Sequence, residues 1–176
     1  ASDGRLVAEL REGDRGGDPE EIQIRDLAFT RADDQIVAGA LDGVIEAWDT
    51  AGERTAHLDV GGKILALDTD PSRPARVVVG TDDGTVALYE LAGDEAVPVG
   101  TVDGLPFDVA FAPDGSGVAA TAIGASGEGS VHAWNISPAR AVLSVELGGG
   151  GTAVSFSPDG ERLAVADSSR PAQVLD

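Results

Sequence analysis

The sequence predicts an all-β protein assembled from a repeated unit of four short strands. Two observations carry this prediction. The stretches "FAPDGSG" and "FSPDGER" begin at Phe111 and Phe156, so the same turn-like phrase recurs after 45 residues. The chain of 176 residues also combines 24 glycines and a 42% hydrophobic fraction with only 4% aromatic residues. This composition favours many short strands joined by tight turns over helices.

A second aromatic position marks the same repeat. The stretches "GVIEAWD", "GTVALYE" and "GSVHAWN" place Trp48, Tyr89 and Trp134 near the end of a strand, and the chain closes on a shorter version, "AQVLD". Each unit begins with an alternating segment such as "IRDLAF", which ends at Phe29, or "GTAVSF", which ends at Phe156. Six of the seven aromatic residues thus hold repeat-equivalent positions, and we expect these six in the core.

The repeat predicts a β-propeller. Units of about 40 to 45 residues with four strands are typical of propeller blades, which are four-stranded antiparallel sheets arranged around an axis. We expect one domain over residues 1–176, with blades at about 22–60, 63–103, 105–147 and 151–176. The last unit ends after its third strand, and "RLVAEL" at residues 5–10 is an additional strand ahead of the first unit. An edge strand without a partner is a liability, so we expect residues 5–10 to complete the last blade.

Four blades are compatible with three ways of closing a ring. Two copies of the chain can form one eight-bladed ring, the chain can be a piece of a longer propeller, or four blades can close on themselves. We favour the ring of two copies, a homodimer, because a half ring exposes two apolar blade faces and symmetric closure buries both.

The chain resembles the WD-repeat family. The resemblance rests on "AWD", on the "FAPDG" and "FSPDG" turns and on the "LDG" and "TDDG" turns, and it covers residues 22–176. The family's Gly-His element is absent, because "GG" or "DG" precedes the inner strands. The resemblance implies that Asp42 and Asp83 hold backbone N–H groups in their turns.

Composition excludes several function classes. The 12 basic and 31 acidic residues give a formal net charge of −19, which argues against a nucleic-acid partner and is common on the solvated surfaces of bacterial proteins. The absence of cysteine excludes disulfides and thiol chemistry. No apolar run approaches the roughly 18 residues of a membrane span, so we expect no membrane partner.

The sequence contains no pattern that indicates catalysis. The only histidines, His57 and His132, lie in different units, and neither is near a serine in a recognisable catalytic arrangement. The glycine run at 148–151 lacks the lysine of a phosphate loop, and the acidic stretches at 11–21 and 68–72 do not match a calcium loop. We therefore expect that the protein is not an enzyme and that it binds no metal and no cofactor. The alternative is a calcium-dependent propeller hydrolase.

The function that we favour is a non-catalytic scaffold for a protein or peptide, and the acidity of the chain suits a basic partner. By resemblance to WD-repeat proteins, the binding face lies at the starts of the inner strands and at the turns between the second and third strands. The residues at these positions are Gln23, Arg25, Lys63, Leu65, Leu105, Phe107, Thr152, Leu41, Asp82 and Glu128. Another alternative is a self-assembling half-propeller, natural or engineered, whose main partner is its own second copy.

Overall fold

The computed structural model describes residues 23–31, 34–93 and 95–176. Within these residues it has fifteen strands and no helix, which confirms the all-β prediction. The predicted strand at residues 5–10 lies outside the described residues.

The strands form four antiparallel sheets, numbered here as blades 1 to 4 in chain order. Blade 1 contains β1 (Ile24–Phe29), β2 (Gln35–Ala40), β3 (Val44–Asp49) and β4 (Arg54–Asp59). Blade 2 contains β5 (Ile64–Thr69), β6 (Arg76–Thr81), β7 (Thr85–Glu90) and β8 (Ala96–Thr101). Blade 3 contains β9 (Leu105–Phe111), β10 (Gly117–Ile123), β11 (Gly129–Ile136) and β12 (Ala139–Leu147). Blade 4 has three described strands, β13 (Gly151–Phe156), β14 (Leu163–Asp167) and β15 (Gln173–Leu175).

The repeated Pro-Asp-Gly phrase is a turn between the first two strands of a blade. Gly115 and Gly160 have φ angles of 72° and 76°, a left-handed conformation that glycine adopts without a Cβ penalty. The preceding aspartates accept hydrogen bonds from the backbone just beyond the turn, Asp114 from Ser116 N at 2.9 Å and Asp159 from Glu161 N at 3.1 Å. The Pro-Asp-Gly motif therefore reverses the direction of the chain between the first and second strands of a blade.

Each blade packs one face on the next blade. We call the face that contacts the following blade the leading face, and the face that contacts the preceding blade the trailing face. Val37 and Ala47 on the leading face of blade 1 share a buried cluster with Leu67 and Val79 on the trailing face of blade 2. Equivalent clusters join blades 2 and 3 and blades 3 and 4, so the core lies in the spaces between successive blades.

The described blades form an arc with two open ends. The inner strand β1 packs on β5, β5 packs on β9, and β9 packs on β13. No comparable packing joins β1 to β13 within the described residues. The trailing face of blade 1 and the leading face of blade 4 therefore have no described blade against them.

The open end of the arc explains why one prediction about the aromatic residues is wrong. Of the six aromatic residues expected in the core, four are buried, namely Trp48, Tyr89, Phe111 and Trp134. Phe156 is half-buried. Phe29 is 55% exposed, because it lies on the trailing face of blade 1.

Small residues on the leading faces admit large residues of the next blade. A Cβ atom added to Gly39 would lie 2.6 Å from Ile64 Cγ2, and one added to Gly80 would lie 2.8 Å from Pro106 Cβ. The glycine run at 148–151 also meets close neighbours, since a Cβ at Gly150 would lie 2.8 Å from Ile123 Cγ1. Close packing between blades 3 and 4 thus accounts for glycine in this run.

Candidate functional site

Every inner strand has a β-bulge near its start. The register of β1 on β2 shifts between Ile24 and Asp26, which leaves Arg25 as an extra residue. The same shift leaves Leu65 in β5, Phe107 in β9 and Thr152 in β13 without a Cα partner. A bulge re-aims the side chain of its extra residue and often lies next to a functional site. We call Arg25, Leu65, Phe107 and Thr152 the bulge rim.

The bulge rim brings residues of different blades together. The Cζ atom of Arg25 in blade 1 lies 5.8 Å from the centroid of the Phe107 ring in blade 3. A guanidinium at this distance is attracted to the ring face by about 0.5 to 1 kcal/mol at an exposed site. Phe107 is 42% exposed and Leu105, two residues earlier, is 49% exposed. The rim thus presents apolar surface beside a cation.

Backbone hydrogen bonds connect the predicted face within single blades. Leu41 N donates to Gln23 O at 3.0 Å, so the turn after β2 lies beside the start of β1. In blade 2, Asp82 N donates to Lys63 O at 3.0 Å, and Lys63 N donates to Asp82 Oδ1 at 3.0 Å. The loop that holds Glu128 follows β10, and its backbone is closed by a bond from Gly124 N to Glu128 O at 2.7 Å.

Three carboxylates join the inner strands just beyond the rim. Asp26 Oδ2 accepts from Leu67 N at 2.9 Å, and Asp68 Oδ2 accepts from Phe111 N at 2.8 Å. Asp108 Oδ2 accepts from Val154 N at 2.7 Å. Each bond crosses from one blade to the next, so we call Asp26, Asp68 and Asp108 the inter-blade carboxylates. Sequence reasoning missed them, although an aspartate within an apolar inner strand is a visible signal.

Burial acts on two of these carboxylates. Desolvation raises the pKa of Asp68 and of Asp108, and the charge of Asp26 raises both further. The amides of Phe111 and Val154 oppose the rise by donating hydrogen bonds to the charged form. The net direction is upward for both groups, so their ionised forms are less favoured in the folded protein than in the unfolded chain.

The turn aspartates lie beside the N–H groups that the resemblance assigns to them. Asp42 Oδ1 accepts from Val44 N at 3.2 Å. Asp83 Oδ1 accepts from Thr81 Oγ1 at 2.8 Å and from Thr85 N at 3.0 Å, and these bonds lower the pKa of Asp83. Their contribution to stability stays a prediction.

Several known proteins are similar in sequence to this chain. The chain is 27% identical to WD repeat-containing protein 1 of Gallus gallus over 179 residues, a match that covers 88% of this chain. The proteins of the same name from Mus musculus and Bos taurus are also 27% identical over 88% of the chain. The WD-repeat resemblance is confirmed. The chain spans about a quarter, 26%, of the length of these relatives, and no family model matches it.

The structure places a serine beside a histidine, a pairing that the sequence did not predict. Ser130 Oγ lies 2.9 Å from His132 Nε2, and the imidazole stacks on Trp134 with ring centroids 5.7 Å apart. Burial lowers the pKa of His132, which favours the neutral ring. The pair lines a cavity of about 240 Å³ between blades 2 and 3, together with Asp103, Glu128, Ser144 and Glu146.

The arrangement around His132 does not support hydrolysis. A catalytic base of this kind is held by a third group on its other ring nitrogen, and no described residue forms a hydrogen bond with Nδ1 of His132. The carboxylates of Asp103, Glu128 and Glu146 also oppose the negative charge that an attacked carbonyl develops. WD-repeat homologues are generally non-catalytic scaffolds.

Two further features bear on the function classes. Within residues 23–31, 34–93 and 95–176, no group of three or more His, Cys, Asp or Glu side chains is arranged to hold a metal ion. Over the same described residues, no helix has the length and apolarity needed to cross a membrane.

Proposed function

We propose that the chain is a non-catalytic scaffold whose bulge rim binds a protein or peptide partner. The observation that carries this proposal is the bulge rim itself, which consists of the extra residue of each inner strand. The contact of Arg25 with Phe107 supports a common surface, because it joins the starts of two inner strands that are not neighbours. The WD-repeat homologues support a protein-interaction scaffold in general.

The partner that we propose is a basic protein or peptide with an apolar anchor residue. Leu105 and Phe107 offer exposed apolar surface for the anchor. Asp82 and Glu128 are exposed carboxylates of the predicted face, and the chain carries a net charge of −19. Opposite charge on the partner accelerates association and disfavours acidic competitors.

A peptide selection tests the proposed site. Random 12-residue peptides displayed on phage are selected on the wild-type chain, and the dissociation constants of enriched peptides are measured by fluorescence anisotropy. We expect F107A to weaken binding by about tenfold or more, because a buried aromatic anchor contributes about 2 kcal/mol. V142A is the matched control, since Val142 is also an exposed apolar residue, at 55%, but lies on β12. Equal affinity of F107A and V142A would refute the site.

Self-assembly into a homodimer is the second candidate function. Both open ends of the arc expose apolar residues, with Leu27 in blade 1 at 59% and Val174 in blade 4 at 66%. We propose that two copies close one eight-bladed ring, with residues 5–10 supplying a fourth strand for blade 4, which has three described strands. Light scattering tests the assembly, because a dimer has twice the 17.8 kDa mass of one chain.

A further inference from the structure

We propose that blade 4 of one copy docks on blade 1 of a second copy in the register of the junction between blades 2 and 3. The proposal rests on the homodimer proposed above. It adds the two surfaces, their alignment, and a chemical difference that makes this junction weaker than those within the chain.

The trailing face of blade 1 is built like surfaces that are covered elsewhere in the molecule. Leu27 is 59% exposed, whereas the residues at the same position of the other inner strands are only 4 to 6% exposed, namely Leu67, Val109 and Val154. Phe29 is 55% exposed, and its counterpart Phe111 is 6% exposed. Glu46 and Trp48 of β3 lie on the same face and are already buried. The open part is therefore the inner strand.

The leading face of blade 4 is the complementary open surface. Val174 is 66% exposed, whereas its counterparts on the third strands of the other blades are at most 5% exposed, namely Ala47, Leu88 and Ala133. Ala153, Ser155 and Ala164 of the same face are also exposed. Blade 4 thus presents a flat surface of small side chains with one larger apolar residue.

Side-chain size identifies a second copy as the occupant. At the junctions of blades 1 and 2 and of blades 2 and 3, small leading residues admit large trailing ones, as Gly39 admits Ile64 and Gly80 admits Pro106. The two open faces follow the same rule. The leading face of blade 4 is small, with Ala153, Ser155, Ala164 and Ala166, and the trailing face of blade 1 is large, with Ile24, Leu27 and Phe29. Each copy therefore holds both halves of a head-to-tail junction, and two copies close it twice.

The inter-blade carboxylates define the register of the proposed junction between copies and show which polar contact this junction lacks. Asp26 and Asp108 hold the same position of blades 1 and 3, and each accepts from an amide of the following blade. Blade 2 instead uses Asp68, one residue before the end of β5, which accepts from Phe111 N. Blade 4 has Ser155 at the position of Asp68 and Ala153 at the position of Asp26 and Asp108. Blade 1 has Phe29 at the position of Phe111. The junction between copies therefore lacks an inter-blade carboxylate.

Cysteine cross-linking tests the register directly, because the chain contains no cysteine. A variant with Ser155→Cys and Phe29→Cys is oxidised and analysed by non-reducing electrophoresis and mass spectrometry. We expect a disulfide-linked pair of chains. The equivalent residues at the junction of blades 2 and 3 are Asp68 and Phe111, and Phe111 N donates to Asp68 Oδ2 at 2.8 Å. Ser155→Cys combined with Arg140→Cys is the control, and we expect no specific linked pair from it.

The alternative outcomes separate this proposal from the homodimer. A disulfide within one chain would mean that four blades close on themselves and would overturn both proposals. A wild-type dimer by light scattering without the expected disulfide would overturn the docking surfaces and leave the homodimer. A wild-type monomer at every concentration would overturn both.

Charge substitutions test the missing carboxylate. S155D supplies an acceptor for Phe29 N of the second copy, so we expect the dimer dissociation constant from analytical ultracentrifugation to fall about tenfold. A164D places a charge inside the junction and should raise the constant by about tenfold or more, while S168D in the exposed loop after β14 should leave it unchanged. Circular dichroism checks that each variant is folded. If S155D and S168D have equal dimer dissociation constants, the proposed register of the junction is wrong.

Discussion

Replacement of Arg76 by alanine tests how strongly blade 2 depends on one buried ion pair. Asp70 follows β5 and is fully buried, and its carboxylate forms a salt bridge with the guanidinium of Arg76, whose side chain is 12% exposed. Asp70 Oδ1 also accepts from Ser72 N and Ser72 Oγ, both at 2.7 Å. The Arg76 guanidinium further lies 5.9 Å from the ring centroid of Phe111 in blade 3.

The magnitude follows from what remains after the substitution. R76A leaves the buried Asp70 carboxylate without its cation, and removing one partner of a buried pair costs about 3 to 5 kcal/mol. The lost contact with Phe111 adds about 0.5 to 1 kcal/mol. Since a domain of this size is stable by about 5 to 15 kcal/mol, we expect a large loss that still leaves a folded protein to measure.

Urea denaturation followed by tryptophan fluorescence measures the free energy of unfolding. Arg162 provides the matched control, because it holds the same position in blade 4 and pairs with Asp176 at 3.0 Å, yet the two side chains are 63% and 87% exposed. An exposed pair contributes about 0 to 1 kcal/mol, so R162A should change little. If R76A and R162A destabilise equally, burial is not what makes the Asp70 pair important and the reasoning is wrong.

Three further predictions concern junction packing, turn capping and pH. G100A should destabilise by about 1 to 3 kcal/mol in urea denaturation, because its Cβ would lie 2.3 Å from Trp134 Nε1 in the next blade. D83A should destabilise by about 1 kcal/mol and lower the melting temperature, since it removes the acceptor of two hydrogen bonds in a tight turn. Acidification toward pH 3.8, the ordinary pKa of aspartate, should raise the free energy of unfolding, because the pKa values of Asp68 and Asp108 are raised on folding and the folded state binds more protons between the unfolded and folded pKa values.

The packing prediction and the pH prediction have controls. G93A places its Cβ no closer than 3.8 Å to its neighbours, so it should be nearly neutral if crowding explains G100A. The double variant D68N/D108N should lose much of the stabilisation on acidification, and an unchanged pH profile would contradict the role of these groups. Below pH 3.8 the trend should reverse, because the lowered pKa of Asp83 means that its stabilising contribution is lost as that carboxylate is protonated.

Much of the fold follows from the sequence because the blade is a local unit. Pro-Asp-Gly at a turn, alternation within a strand and an aromatic residue near the strand end are properties of neighbouring residues. Burial is different, because it depends on which blade lies against a face. Phe29 and Phe111 end similar strands, yet they are 55% and 6% exposed, since among the described residues only Phe111 has a preceding blade beside it.

The position of the candidate site stays a prediction from resemblance, and its geometry could not be predicted from the sequence. Resemblance places Arg25 and Phe107 on the predicted face, but a bulge depends on how two strands align, and this alignment leaves no local mark in the sequence. The inter-blade carboxylates are non-local in the same way, because Asp68 bonds to an amide 43 residues further along the chain. Burying an aspartate is unfavourable in an isolated strand. It is explained here by the amide of the next blade, which donates a hydrogen bond to the carboxylate.

The bulge rim and the blade junctions are physically linked, because Asp26 directly follows Arg25 and Asp108 directly follows Phe107. Each of these bulge residues is thus followed by an aspartate that accepts a hydrogen bond from the next blade. A partner that holds Arg25 and Phe107 in place therefore also restrains the two inter-blade bonds. We therefore expect partner binding and blade packing to stabilise each other, and blade 4 lacks this link because Ala153, not an aspartate, directly follows Thr152.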